Sequence, residues 1–259
     1  MYKYLTVEAH GSVLRIALNR PEVFNAFHRG MALELQQALA EADRDPEVRA
    51  VLLTGEGRAF CSGQDLSEAI DPQGPGLDRI LSEHYNPLIL KIRALRKPVV
   101  VAVNGVAAGA GANLALAGDI VLAAKSAKFI QAFSKIGLIP DSGGTFTLPR
   151  LAGFAKASAW MMLAESVTAE EAERHGLIYR VTEDESLASE ALALAQKVAA
   201  MPTEALALTK EALNASLFAG LEAQLEVERT LQNRAGSTAD FAEGIAAFLE
   251  KRPPNFKGQ

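Results

Sequence analysis

The stretch from Lys97 to Ala123, KPVVVAVNGVAAGAGANLALAGDIVLA, decides the fold class. Pro98–Val103 is a continuous apolar run rich in valine, the pattern of a strand buried on both faces. Ala108–Ala117 is built of small residues and reads as a helix. Ile120–Ala123 is a second buried strand. Strand, helix and strand in so short a span predict a mostly parallel sheet with helices as crossovers.

The flanking sequence extends that pattern. Tyr4–Ala9 and Val13–Asn19 alternate and are separated by His10-Gly11-Ser12, which predicts a hairpin. Met31–Asp43 places Leu33, Leu35 and Leu39 at helical spacing, with Pro46 beyond it. Ala50–Thr54 is a short apolar strand ending at Gly55. Asp71–Gly76 is a Pro/Gly loop, and Leu77–Leu95 reads as one long amphipathic helix. The character changes after about Pro149. From Ala155 onward the pattern is helical apart from a strand-like run at Leu177–Val181. The helical segments are Leu187–Ala199, Thr203–Phe218, Leu221–Arg229 and Thr238–Lys251. The expected architecture is an α/β core over residues 1–200 and a helical region over 201–259.

Composition narrows the function. The chain has 259 residues, is 49% hydrophobic and carries a net charge of −5. That is enough to bury a substantial core, and the acidic balance argues against general nucleic-acid binding. A single cysteine, Cys61, excludes an internal disulfide and a multi-cysteine zinc site. His10, His28, His84 and His175 stand alone, without metal-ligand spacing. The opening MYKYLTVEAHG lacks a basic region followed by an apolar one. The longest apolar candidate span is broken by Asn104, Asn113 and Asp119. A cytoplasmic protein with no bound metal is expected.

Three segments carry chemistry. In Ala59–Leu66, AFCSGQDL, Gly63 permits a turn that presents the N–H of Gln64; an ordinary strand-to-helix turn would look the same. In Asn104–Asn113, NGVAAGAGAN, the glycines let backbone approach a ligand and a helix start offers free N–H groups, which suits a developing oxyanion. Close helix–sheet packing would use the same small residues. In GLIPDSGGTFTLPR, Asp141 is either a helix N-cap or a carboxylate placed to move a proton. The two nucleotide-loop patterns are incomplete: Leu114 stands where a third glycine should be, and no Gly-Lys-Ser/Thr follows.

In combination, AFCSGQDL, KPVVVAVNGVAAGAGANLALAGDIVLA and KIGLIPDSGGTFTLPRLAG closely resemble the crotonase superfamily of enoyl-CoA hydratases and isomerases. The likeness runs from IALNRPEVFNAF to the FLEKRPPNF ending. It implies a spiral of ββα units, a C-terminal helical trimerisation region, and a homotrimer or a homohexamer built of two trimers. It implies no permanently bound cofactor, with coenzyme A entering as part of the substrate. The resemblance assigns the oxyanion hole to the N–H groups of Gln64 and Ala110. It places Ser62, Gly63, Asp65, Leu66 and Ala26 along the pantetheine and adenine, with Gly109, Asn113 and Phe133 at the acyl group. Phe256 and Lys257 match C-terminal residues that reach the CoA of a neighbouring subunit. Glu68 and His84 lie near the segment over the acyl group.

The departures from the family pattern point to the reaction. Hydratases carry two glutamates, and the matching positions here hold Asn113 and Phe133. Adding water across a double bond needs a base and an acid, so this chain is expected to be a poor hydratase. Asp141 stands where hydratases have glycine. One carboxylate beside an oxyanion hole suits double-bond isomerisation. Within the superfamily, IPDSGG and a neutral Asn113 most resemble the isomerases of phenylacetate degradation. That likeness implies conversion of ring-1,2-epoxyphenylacetyl-CoA to oxepin-CoA, and of 3,4- to 2,3-dehydroadipyl-CoA. Phe133 would then form an apolar wall and raise the Asp141 pKa by desolvation. The alternatives are a Δ3,Δ2-enoyl-CoA isomerase or an enoyl-CoA hydratase of fatty-acid oxidation, a dehalogenase-like nucleophile at Asp141, and a non-catalytic CoA-binding or RNA-binding homologue.

Overall fold

The computed structural model describes residues 2–259. The hairpin forms as β1 (Leu5–His10) and β2 (Val13–Leu18), antiparallel with Leu5 opposite Leu18 and His10 opposite Val13. Helix α1 (Arg29–Arg44) follows and buries Met31, Leu35, Ala38, Leu39 and Ala42, one stripe at helical spacing. It leads to β3 (Ala50–Gly55) and, after a three-residue link over 56–58, to β4 (Ala59–Cys61).

Short helices α2 (Leu66–Ala69) and α3 (Gly76–Arg79) come next, then a π-helical turn over Ile80–Tyr85 that runs into α4 (Asn86–Ala94). The expected single helix over Leu77–Leu95 is therefore interrupted. Pro87 has no N–H, so the carbonyl of Glu83 lacks its regular helical donor. The side chain of Gln36 on α1 supplies one instead, with Nε2 donating to Glu83 O at 2.8 Å and to His84 O at 3.1 Å.

The decisive stretch forms β5 (Val99–Val103), β6 (Val106–Ala108), α5 (Ala110–Leu116) and β7 (Ile120–Ala124), followed by β8 (Lys128–Ile130) and a 3-10 turn over Ala132–Ile136. Then come α6 (Gly144–Ala152), α7 (Phe154–Leu163), β9 (Ser166–Thr168), α8 (Ala169–Arg174), β10 (Arg180–Thr182) and α9 (Leu187–Ala199). The chain ends in α10 (Thr203–Ser216), α11 (Leu221–Gly236) and α12 (Ala239–Glu250).

Two sheets result. The larger runs β1-β2-β3-β5-β7-β10 and is parallel after the opening hairpin. The smaller runs β4-β6-β8-β9. Three times in succession a strand of the large sheet passes directly into a strand of the small one: β3 to β4, β5 to β6, β7 to β8. This is the spiral of ββα units. Every residue of β3 and β5 is buried. Helix α9 lays Leu187, Ala191, Ala195 and Ala199 across the outer face of the large sheet, an i,i+4 stripe of mostly small side chains.

The small sheet was not anticipated from the sequence, because strands of three residues are too short to show alternation. The strand expected at Leu177–Val181 forms three residues later, at Arg180–Thr182, and β9 interrupts the region expected to be helical. Helix α11 continues past Arg229 to Gly236. The helical C-terminal region is tied to the sheets by a half-buried cluster. Asp119, just before β7, accepts from Arg93 at 3.1 Å, from Lys210 of α10 at 2.8 Å and from the N–H of Val99 at 2.8 Å.

Candidate active site

Segment 24–27 runs beside segment 62–65. Ser62 N donates to Phe24 O at 3.0 Å, Phe27 N to Gly63 O at 2.7 Å, and Asp65 N to Phe27 O at 2.7 Å. In this parallel pairing Phe27 spends both of its backbone groups on residues 63 and 65, so the N–H of Gln64 faces the other way. Gly63 makes the turn with φ of 96°. A methyl group built on Gly63 would lie 2.9 Å from Ala108 O and 3.8 Å from Ala110 N. The turn at Gly63 and Gln64 thus packs against Ala108 and the start of α5 at Ala110. Ala110 opens α5, where no intrahelical acceptor exists for its N–H. Neither N–H donates to another group among the described residues.

Gly109, with φ of 52° and ψ of −128°, turns β6 into α5, and its N–H donates to Ile130 O at 2.8 Å. Phe133 is buried, and its ring edge comes within 3.8 Å of where a Gly109 side chain would begin. Phe133 therefore packs beside the turn that opens α5.

Asn113 lies three residues beyond Ala110 on α5 and is buried. Its Nδ2 donates to Asp141 O at 2.8 Å, and its Oδ1 accepts from Gln131 Nε2 at 2.8 Å. Residues three apart on a helix stand about 5–6 Å apart at Cβ, so Asn113 draws the Asp141 loop to the first turn of α5. The Asp141 carbonyl also accepts from Gly144 N at 2.8 Å.

The carboxylate of Asp141 accepts one hydrogen bond, from Ser142 Oγ to Oδ1 at 2.8 Å. It does not cap α6, whose N-cap position is Gly143 and has no side-chain bond. The capping alternative is thereby excluded. Burial pushes the Asp141 carboxyl above the usual range, and the bond from Ser142 opposes that shift in part. The side chain is half-buried and does not point freely into solvent.

The remaining expected residues divide into groups. Asp65 caps α2 through Ser67 and accepts from Arg20 at 3.1 Å. Burial alone would raise its carboxyl, but the bonds from Ser67 and Arg20 outweigh it and hold the group low. Arg20 also donates to the carbonyl of buried Ala26. Ser62 and Leu66 lie at the exposed edge of the same loop. Phe256 and Lys257 are not near the paired amides in their own chain. The Phe256 carbonyl accepts from Arg49 at 2.8 Å, and Lys257 N donates to Asp240 at 2.6 Å.

Several contacts around the site had no sequence signal. The Gln64 side chain accepts from the phenol of fully buried Tyr85 at 2.9 Å and donates to Glu68 at 3.0 Å. Glu68 in turn accepts from Arg29 N at the start of α1, at 2.9 and 3.1 Å. Desolvation pushes the Tyr85 phenol well up, with Cys61, Asp141 and Glu68 adding to the effect. His84 is buried beside Arg29, and desolvation lowers its pKa. Gln131 likewise carries no sequence signal, since its partner Asn113 is brought in by another element, and the bond from Ser142 to Asp141 depends on the backbone of the turn.

The enoyl-CoA hydratase/isomerase family model matches residues 8–259. The chain is 48% identical to the 1,2-epoxyphenylacetyl-CoA isomerase of Escherichia coli K12, over 100% of both chains. It is also 48% identical to a Rhodobacter capsulatus protein named "Probable enoyl-CoA hydratase", over 100% of this chain and 99% of the relative. A crystal structure of enoyl-CoA hydratase from Bacillus anthracis matches with a TM-score of 0.95 at 33% identity, covering 99% of this chain and 100% of that one.

Proposed function

The chain belongs to the enoyl-CoA hydratase/isomerase family of the crotonase superfamily, and on that premise we propose that it isomerises acyl-CoA thioesters with Asp141 as its proton carrier. The observation that carries the reading is the half-buried Asp141, whose main-chain carbonyl Asn113 holds against the first turn of α5, where Ala110 presents its free amide. The thioester oxygen would sit between the N–H groups of Gln64 and Ala110. Two such donors stabilise the enolate that forms when a proton leaves the adjacent carbon. Asp141 takes that proton and returns it at another carbon. Substrate and product are isomers, so no water is consumed and no redox partner is needed.

The acyl group we favour is ring-1,2-epoxyphenylacetyl-CoA, where the C–C bond shared by epoxide and ring opens, its electron pair redistributes into the ring double bonds and the proton moves from the carbon beside the thioester to the ring, giving oxepin-CoA; 3,4- to 2,3-dehydroadipyl-CoA is a second conversion, by the proton transfer alone. The Escherichia coli relative's named activity supports this choice, as does the apolar Phe133 beside Gly109. Pantetheine and adenine would run along Ala26, Ser62, Gly63, Asp65 and Leu66, with Phe256 and Lys257 supplied by a neighbouring subunit. Residues 1–200 then form the CoA-binding core, and 201–259 the helices that join copies into a trimer or a hexamer.

A hydratase reading is favoured by the name of the Rhodobacter capsulatus relative. Against it, Asn113 is neutral and already bonded on both sides, and Phe133 is apolar. Neither can activate water. The test is turnover of the ring epoxide and of a synthetic 3-enoyl-CoA, with hydration of a 2-enoyl-CoA followed in parallel. Isomer formation that exceeds hydration supports the proposal. Hydration as the main activity, or acyl-CoA binding with no turnover, sinks it.

A further inference from the structure

The turn that carries Asp141 adopts a backbone form that serine seldom takes. Ser142 has φ of 51° and Gly143 has φ of 76°, two left-handed residues in succession. Glycine accepts this conformation without steric penalty, while a Cβ crowds the neighbouring carbonyl. Glycine would therefore serve the backbone better at position 142. What serine adds is a hydroxyl, and that hydroxyl is buried and turned back onto Asp141 Oδ1 at 2.8 Å.

The main chain and the carboxylate of Asp141 are held separately. Asn113 Nδ2 and Gly144 N both bond the carbonyl of residue 141. Only Ser142 bonds the carboxylate among the described residues. A bond at Oδ1 restrains rotation of the head group and leaves Oδ2 free of protein donors.

We propose that Ser142 is a positioning residue for the proton-carrying carboxylate: its hydroxyl, aimed by the left-handed turn, fixes Oδ1 and makes Oδ2 the oxygen that accepts and returns the proton. This rests on the reading of Asp141 given above. In the first half-reaction the C–H bond breaks, its electron pair stays in the enolate, and the proton goes to Oδ2. In the second the Oδ2–H bond breaks and the distal carbon of the enolate system takes the proton back.

The surroundings make the effect readable by pH. Asn113 from α5 and Gln131 from the end of β8 are neutral, and α4 presents Ile89 to Gly143. Lys135 on the 3-10 turn is exposed. Tyr85 is the titratable neighbour and is held protonated by burial. Removing the Ser142 hydroxyl deletes the one bond that opposes the desolvation of Asp141.

The experiment compares wild type, Ser142→Ala, Ser142→Gly and Asp141→Asn on a synthetic 3-enoyl-CoA across pH, with CoA binding and thermal melts as folding controls. Both Ser142 variants are expected to lose about tenfold in kcat, the worth of one hydrogen bond to a charged group. KM should hold steady, and the acid limb of the rate profile should move to higher pH. Ser142→Gly returning wild-type kcat and limb would reduce the residue to a backbone role and overturn the proposal. So would Ser142→Ala leaving both unchanged while Asp141→Asn is inactive. Full turnover by Asp141→Asn would instead remove the reading of Asp141 itself. The same shift can be read without turnover from the infrared carboxyl band missing in Asp141→Asn. That band titrating in Ser142→Ala at the wild-type pH also overturns the proposal.

Discussion

At the scale of single residues, Asp141 sets function against stability. Its buried carboxylate has a raised folded-state pKa. Below the unfolded value, about 3.9, both states hold the proton and charge burial has no effect. As pH rises through the folded pKa, the stability present at low pH is lost. Asp141→Asn keeps an acceptor for Ser142 and removes the charge. It should lower isomerase kcat by about 10²–10⁴-fold while raising Tm at neutral pH, with the gain in Tm fading toward pH 4. Calorimetry across pH checks this, and a variant less stable than wild type at neutral pH would contradict it. Gly63→Ala makes a second case. A Cβ there meets Ala108 O at 2.9 Å on a backbone with φ of 96°, so the Gln64 amide must shift. Loss of one oxyanion donor removes about 10²–10³ in kcat; a wild-type kcat would show that the amide is not used. Asp141 and Gly63 were legible in the sequence because their segments are contiguous motifs. The roles of Gln131 and Ser142 were not: Gln131 bonds Asn113, 18 positions away, and the Ser142 hydroxyl reaches its neighbour Asp141 only through the left-handed turn.

At the scale of elements, short strands and the π-helical turn were the illegible parts. Pro87 warned of a break in the helix over Leu77–Leu95, but the remedy came from Gln36, 47 residues before Glu83 in the chain. That bond satisfies the Glu83 carbonyl the proline leaves open, and the turn carries His84 and Tyr85 into the interior. Gln36→Met should therefore lower stability by about 1–2 kcal/mol, the usual result of leaving a buried acceptor unpaired. Chemical denaturation reads this directly, and an unchanged midpoint would mean that water replaces the amide. Through Tyr85 the same substitution should loosen the Gln64 side chain.

At the scale of the molecule, the C-terminal helices leave large apolar side chains on the surface. Phe218, Leu221, Phe248 and Leu249 are each more than 70% exposed. An exposed set of that kind is the mark of a contact between chains. Replacing both Phe248 and Leu249 by serine should reduce the assembly seen by sedimentation, and with it turnover, if Phe256 and Lys257 serve a neighbouring site. A wild-type protein that sediments as a monomer would remove the proposed assembly. The sequence by itself determined the parallel core, the helical C-terminal region and the family, because each is written in local periodicity or in contiguous motifs. Only the tertiary structure decided that the Gly63–Gln64 turn packs against Ala110 and that Asn113 bonds the main-chain carbonyl of Asp141. Those contacts join residues separated by 46 and 28 positions, and only chain folding sets the distance between groups so far apart in sequence.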